Sequence, residues 1–598
     1  MLQDELSRHI WATKYRHVRS DNSAEASIEE TWRRVARAIA SVEQRDGHER
    51  AFLEALSGFK FLPAGRILAG AGTGRRTTLF NCFVMGYIED SIESIFEHLK
   101  QGAVTMQCGG GIGVDFSTLR PRGSEAATRG TIASGPVSFM KVWDAMCATL
   151  LSTGARRGAM MGTLRCDHPD VEEFVDAKRD PNSLRNFNVS VQVTDELMKA
   201  VEDDADWALC FPADEHDGGG ETKSVRWPGR DGEVPCRIAR PVRARDLWRR
   251  IMAAAYDSAE PGVLFVDRIN AVNNLYYCEH ITSTNPCGEI PLPAYGACDL
   301  GSINLAAFVR EPFTRTAALD HDAIERIVPV AVRMLDDVVD VSEYPLPEQA
   351  RQARSSRRIG LGITGLGDAL IMLGLHYGTD AAREAARDVL ERIRNAAYRA
   401  SIELAKEKGA FPSFDRDAYL DGEYVGALPA DIRDGIARAG IRNSHLMAIA
   451  PTGTISLLAN NVSSGIEPVY ALEGERRVLN KEGASETRRT VDFAYAAWRR
   501  EHGAAPLPDV FVTAEALPPE AHLAMLAVLQ PLVDNSISKT INVARDIARE
   551  DFENIYLRAH ALGLKGCTVF RPNEITGSVL SAEPAQGPHC CTIEREGD

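Results

Sequence analysis

No apolar run in this 598-residue chain reaches the ~18–20 residues needed to cross a bilayer. The opening stretch MLQDELSRHIWATKYRH lacks an apolar core followed by a small-residue cleavage site, so no secretory signal is read and the expected location is cytoplasmic. Positive charge is in deficit. Against 84 Asp and Glu stand 68 Lys and Arg, a net charge of −16, which disfavours a nucleic-acid polymer as partner. Cysteine is sparse: 12 in the chain and no CxxC pair, with Cys278, Cys287 and Cys298 too widely spaced for a zinc clamp, so no metal site is expected. The absence of GxxxxGK[ST] removes the usual nucleotide-hydrolase reading. What remains is an ordinary globular composition, 44% hydrophobic and 25% charged. Its length suits one large domain with appendages, or about two to four domains.

Residues 1–60 carry apolar residues at spacings of three and four and are expected to be helical. From 61 to about 200, short apolar stretches such as TLFNCFVMGYI and NFNVSVQVT alternate with glycine-rich turns and helices, an α/β pattern. Residues 212–240 are polar and loop-like and are read as a surface insertion. Helices are expected over 243–260 and 318–342, a long helical section from 357 to about 410, and a second α/β section over 441–575. The last residues, 576–598, read as a flexible tail. Most of Cys108, Cys147, Cys166, Cys210, Cys236 and Cys278 are expected to be packing residues.

GLGITG, residues 360–365, is a literal GxGxxG, but RQARSSRR precedes it where a dinucleotide site needs a strand; a glycine-rich approach to a packed helix fits better. DEHDGG, 214–219, matches a DxHxxG cobalamin pattern, yet no βαβ unit follows, which favours chance. CGGGIGVDFSTLRPRGS, 108–124, is glycine-rich enough for a backbone to come close to a ligand, with Arg120 and Arg122 following. In APTGTISLLANN, 450–461, free amides at a helix start could cradle a phosphate; a plain helix cap fits equally.

STNPCGEIPLP, residues 283–293, crowds an amide, a thiol and a carboxylate into alternate positions: Asn285, Cys287 and Glu289. In an extended backbone the three project to one side, with Pro286 stiffening the segment and Gly288 permitting close approach. A nucleophilic thiolate would want a histidine nearby, whereas a carboxylate disfavours it. The pattern suits a neutral or radical sulfur, with Glu289 moving a proton on a substrate. A buried structural thiol is the alternative. Cys590 and Cys591 stand adjacent in the tail, where exposed thiols invite oxidation.

Taken together, the motifs resemble those of ribonucleotide reductase, specifically the adenosylcobalamin-dependent class. The resemblance runs from about residue 8 to 575. LFNCFVMGYIEDSIESI, GGGIGVDFSTLRPRGS, SGPVSFMKVWD, GARRGAMMGTLRCDHPDVEEF, EPGVLFVDRIN, NPCGEIPLPAYGACDLGSINL, RRIGLGITGLGDAL, APTGTISLLANNVSSGIEP and SISKTINV carry it, in that order. It implies an α/β fold: a ten-stranded barrel core over 61–575, made of two antiparallel five-stranded parallel halves, behind the helical region 1–60. A central loop would bear the radical cysteine.

The resemblance also implies roles. Cys287 would carry a transient thiyl radical that removes the 3′ hydrogen of the ribose, Glu289 would take the 3′-hydroxyl proton, and Asn285 would hydrogen-bond the sugar. Cys82 and Cys298 would supply two reducing equivalents and become a disulfide, re-reduced by Cys590 and Cys591. That tail pair is vicinal here and usually more widely spaced in the family, with Cys567 a lesser candidate for exchange. Substrate contacts would come from Asn81, Cys82, Gly111, Asn285, Pro286, Cys287, Gly288, Glu289, Pro451, Thr452, Gly453, Thr454 and Ile455. Ala64 and Gly65 stand where the family often has a hydroxyl residue. Asp90 and Arg120 would hold a deoxynucleotide or ATP effector, and 154–163 would relay its identity to the substrate base. The N-terminal ATP/dATP-sensing cone is not seen ahead of the core, so on/off control by dATP is not expected. The tyrosine pair of the metal-dependent class, the glycyl-radical motif and the four-cysteine site of the anaerobic class are not found, which leaves adenosylcobalamin as radical source. A thioredoxin- or glutaredoxin-type reductant and a homodimer complete the expected partners. A catalytic subunit served by a separate radical-generating protein, and a regulatory nucleotide-binding protein, are the competing classes; the first lacks its tyrosines and the second would lack the cysteines.

Overall fold

The computed structural model describes residues 1–124, 132–152, 156–180, 182–213, 220–479 and 485–573. Cys590, Cys591 and DEHDGG lie outside them, as do residues 154 and 155 of the expected relay loop. The N-terminal helices form as their periodicity predicts. Helix Ile28–Ile39 buries Ile28, Trp32, Val35, Ala36 and Ile39 along one face, and helix Glu5–Ile10 is capped by the Asp4 side chain accepting from the Ser7 amide. Their apolar faces merge with the interior of the α/β region into one continuous core reaching from Leu6 to Val569.

Ten strands make the main sheet: β1 Phe61–Pro63, β2 Cys82–Val84, β3 Gly111–Asp115, β4 Met160–Arg165, β5 Phe187–Val193, β6 Gly262–Phe265, β7 Ala297–Asn304, β8 Ile359–Thr364, β9 Thr540–Asn542 and β10 Gly566–Phe570. Strands β2 to β6 run parallel to one another in chain order. Antiparallel seams join this half to β10 through β6 and to β7 through β2. In the other half β7 is parallel to β8, and β9 to β10. The gap between β8 and β9 is bridged by parallel pairings of Leu361 with Met447 and of Ile449 with Ile537. Segment 446–449 is therefore the tenth stave, and β1 lies outside the ring, antiparallel to β7. Two five-stave parallel halves meet at two antiparallel seams, the expected barrel.

Expected helices form at Ala244–Ser258, His321–Val341 and Asp380–Lys408. Two local expectations are corrected. The section expected to be helical from 357 opens instead with strand Ile359–Thr364, buried along its whole length in the barrel wall, and Gly365 then caps the packed helix Leu366–Met372 that GLGITG was read as approaching. A β-carbon on Gly362 would lie 2.2 Å from the Ala448 carbonyl oxygen, so this glycine lets neighbouring staves meet. The polar stretch 212–240 is not loop throughout. Strand Glu233–Arg243 pairs on one side with Asp206–Pro212 and on the other with Thr222–Arg226, in a separate sheet over a small core of Cys210, Val225, Trp227 and Cys236. Cys278 is exposed rather than packed.

Through the barrel passes a short hairpin, Ser283–Thr284 paired antiparallel with Pro291–Leu292. Ser283 Oγ meets Thr163 Oγ1 of β4 at 3.2 Å, and Asn188 of β5 donates to the Pro286 carbonyl at 2.8 Å. From the opposite half, the Ser536 amide donates to the Glu289 carbonyl at 2.9 Å. A β-carbon on Gly113 of β3 would stand 2.0 Å from the Thr284 carbonyl oxygen. Gly113 thus makes room for the hairpin, not for a ligand. Gly113→Ala is expected to cost about 1–3 kcal/mol through overpacking and to dislodge the hairpin; a lowered Tm with loss of turnover checks it, and an unchanged Tm contradicts it.

Candidate active site

The hairpin tip is a turn, not the extended segment its alternation suggested. The Gly288 amide donates to the Asn285 carbonyl at 3.1 Å, and Gly288 has φ +84°, a conformation that side chains resist. Asn-Pro-Cys-Gly is the residue pattern of a four-residue turn, with Asn first, Pro second and Gly last; that was the legible signal. Below the tip, Asn285 is fixed by its side-chain oxygen, which accepts from the Ile290 amide at 3.0 Å and Thr284 Oγ1 at 3.1 Å. Its amide nitrogen then points at Cys82 Sγ, 3.2 Å away.

Cys82 and Cys298 are directly opposite one another across the antiparallel β2–β7 seam. Residues so paired have Cα atoms about 4.5–5.5 Å apart, inside the span of a disulfide. Cys82 also donates to Glu289 Oε1 at 3.8 Å. Burial, then Glu289 and the neighbouring sulfurs of Cys298 and Cys287, pushes the Cys82 thiol well up. Burial and Asp299 do the same to Cys298. Both are neutral thiols at neutral pH.

Glu289 is fully enclosed. Burial raises its carboxyl from 4.5 to about 7, while bonds from Asn285 and Cys82 pull the other way. Its Oε2 is buried without a hydrogen-bond partner, and so are both side-chain polar atoms of Asn81. Unsatisfied buried polar groups carry a cost that a bound ligand relieves.

One cavity is walled by Asn81, Cys82, Gly111, Asn285, Pro286, Cys287, Glu289, Pro451, Thr452 and Ile455. Ala64, where a hydroxyl was looked for, is also in the wall. So are Leu300, Gly301, Ser302 and Ala450, which sequence reasoning missed because they enter through barrel closure. Cys298, Gly288, Gly453 and Thr454 are not in the lining. At the helix start considered as a phosphate cradle, the Thr452 amide donates to Ser464 Oγ at 2.9 Å and the Ile455 amide to the Thr452 carbonyl at 2.8 Å. Pro451 has no amide hydrogen. Asp90 and Arg120 form an ion pair with each other, both about a quarter exposed, away from the cavity. Arg122 bonds Glu173 at 3.1 Å instead of standing open to a phosphate.

The hairpin is held from behind by Arg358. Its guanidinium donates to the Pro291 carbonyl at 3.2 Å and to His445 Nδ1 at 3.2 Å, and it pairs with Glu279. No short motif signals this support.

The family model for the ribonucleotide reductase barrel domain matches residues 80–570, and that for the ribonucleotide reductase all-alpha domain matches residues 1–76. A protein of Mycobacterium tuberculosis (strain CDC 1551 / Oshkosh) named vitamin B12-dependent ribonucleoside-diphosphate reductase is 36% identical over 573 residues, 92% of this chain and 76% of its own. One of the same name from Thermoplasma acidophilum is 37% identical over 553 residues, 90% of this chain and 66% of its own. A thiol, an amide and a carboxyl on one turn, a cross-strand dithiol beneath them and a barrel around all of them agree with those matches: this chain belongs to the ribonucleotide reductase large-subunit family.

Proposed function

We propose that the chain reduces ribonucleoside diphosphates to 2′-deoxyribonucleotides with adenosylcobalamin as radical source. The observation that carries this reading is the convergence of Cys287, Glu289, Asn285 and Cys82 on one cavity wall, with Cys298 directly opposite Cys82 across the strand seam. The names of the two relatives support the cofactor and the diphosphate. Adenosylcobalamin, when bound, supplies the one-electron oxidation of a thiol. Cys287 fits that need: it is half-buried at the hairpin tip, and beside it a β-carbon on Gly288 would meet nothing within 4 Å. Cys287 and Gly288 are the residues that would face the cofactor.

With a sugar in the cavity, Cys287 removes the 3′ hydrogen and returns it at the end of the cycle. Glu289, poised near neutrality, takes the 3′-hydroxyl proton. Asn285 holds the sugar. The dithiol gives two electrons and two protons, the 2′-hydroxyl leaves as water, and a Cys82–Cys298 disulfide remains. Asp90 and Arg120 serve an effector nucleotide, Cys590 and Cys591 pass electrons from a thioredoxin- or glutaredoxin-type reductant, and the working form is a homodimer in the reducing cytoplasm. No described helix is long and apolar enough to cross a membrane.

The test is a single turnover. Reduced protein carrying Cys590→Ser and Cys591→Ser, so that the tail cannot re-reduce the pair, is given CDP and adenosylcobalamin without added thiol, then alkylated and mapped by mass spectrometry. Deoxycytidine diphosphate should form in proportion to a Cys82–Cys298 disulfide; product with both thiols still open to alkylation would refute the dithiol reading.

A further inference from the structure

Cys82 and Cys298 occupy unlike surroundings. Cys82 lines the cavity, whereas Cys298 is absent from the lining and 0% exposed. The ionisable groups that weigh most on Cys82 are Glu289, Cys298 and Cys287, none of them cationic. Cys298 has a cation beside it. The parallel β7–β8 ladder aligns Asp299 with Ile359, so the residues just before them, Cys298 and Arg358, enter the two strands side by side. Two residues on, a β-carbon on Gly360 would stand 3.4 Å from Cys298 Sγ, so β8 lies directly against this sulfur.

Arg358 is 2% exposed and anchored on Glu279, the Pro291 carbonyl and His445. A guanidinium only donates, so His445 Nδ1 accepts from it, and the ring proton sits on Nε2, facing Asn273 Oδ1 at 3.1 Å. Burial, Arg358 and Lys565 hold His445 well below its ordinary value, so the ring is neutral and the charge stays on Arg358. Against it on Cys298 act the carboxyls of Asp299, Asp534 and Glu289, each of which burial pushes up toward its uncharged form.

We propose that re-reduction has a fixed direction: the incoming thiolate attacks Cys82 Sγ from the cavity, and Cys298 departs as a thiolate whose charge Arg358 stabilises. Arg358 is then a positioning residue for the second half of the cycle. The proposal rests on the reading of Cys82 and Cys298 as the redox pair. In the step, a bond forms between the reductant sulfur and Cys82 Sγ, the disulfide breaks, and the electron pair goes to Cys298 Sγ. The reductant's second thiol gives its proton to Cys298 and attacks the first reductant sulfur, releasing Cys82, which takes the other proton. The dithiol reductant leaves as a disulfide, having given two electrons and two protons. The sulfur with the lower pKa leaves faster, which is what a fixed cation beside one sulfur achieves.

The full-length chain carrying Cys590→Ser and Cys591→Ser, so that the tail cannot re-reduce the pair, is oxidised by one turnover, treated with 2-mercaptoethanol, quenched with acid and N-ethylmaleimide, and mapped. If no Cys82–Cys298 disulfide is present before the thiol is added, the redox-pair reading falls and this proposal with it. If it is present, mercaptoethanol should be found on Cys82 and maleimide on Cys298, by about tenfold or more over the reverse. The reverse pattern would overturn the proposal while leaving the redox pair intact, and this map decides it with Arg358 untouched. In the double variant Arg358→Gln with Glu279→Gln, which leaves no unpaired buried charge, mixed-disulfide formation should slow by about tenfold. An unchanged rate in a folded double variant would remove Arg358 from the step.

Discussion

Cys287→Ser will yield a folded chain without turnover. The side chain is half-buried at the tip of a turn whose shape depends on Asn285, Pro286 and Gly288, so exchanging sulfur for oxygen leaves the hairpin bonds in place. Stability should move by no more than about 0.5 kcal/mol. The chemistry changes far more, because an O–H bond is harder to break homolytically than an S–H bond, and no other thiol occupies the tip. Losses on removing the central reacting group of a catalytic unit reach about 10⁴–10⁶-fold, and a fall on that scale is expected here. Deoxycytidine diphosphate formation and a thermal melt check both halves. Appreciable residual turnover in the variant would take the radical role away from Cys287.

Glu289→Gln gives the second large effect, and it has two signs. As a base with a pKa of about 7, the carboxyl makes wild-type activity climb as pH rises through neutrality. Glutamine cannot take a proton, so turnover should fall by about 10²–10⁴-fold and lose that limb of the profile. Stability moves the other way. The folded carboxyl holds its proton up to about 7 while the unfolded one releases it near 4.5. The penalty of burying the charge is therefore absent below the unfolded value, grows between the two and is complete above the folded one. At pH 8 the variant should be more stable than wild type, by at most about 3 kcal/mol, and at pH 4 the two should melt alike. A variant that is less stable at pH 8 would mean that Glu289 is not held in the protonation state its burial implies.

The reacting residues were legible because they sit in short contiguous words. Asn285, Cys287 and Glu289 share one turn, and their types alone indicate a neutral or radical sulfur with a carboxyl base. Their geometry was not legible from alternation: the chain turns at Asn-Pro-Cys-Gly, so convergence comes from a tight reversal and a hydrogen bond from the Gly288 amide to the Asn285 carbonyl. The facing of Cys82 and Cys298 depends on the register of two strands far apart in the chain, and no local periodicity encodes it. Only the family resemblance paired them. Glycines misled in a consistent way. Gly113 belongs to a run that looked like a ligand approach and Gly362 to one read as an approach to a packed helix, and both serve backbone packing, against the hairpin and the next stave. The barrel itself was readable only as mixed α/β, since its tenth stave, 446–449, forms by isolated bridges to neighbours from β8 and residue 537. Arg358 looked like one more charge before a glycine run, and long-range contacts with Glu279, His445 and Pro291 give it its place.

The most direct test is turnover by the purified chain alone, with CDP and dithiothreitol, in the presence and absence of adenosylcobalamin. Deoxycytidine diphosphate should form only when the cofactor is added. No product under either condition, with CTP and effector nucleotides also tried, would contradict a self-sufficient cobalamin-dependent reductase and point to a separate radical-generating partner.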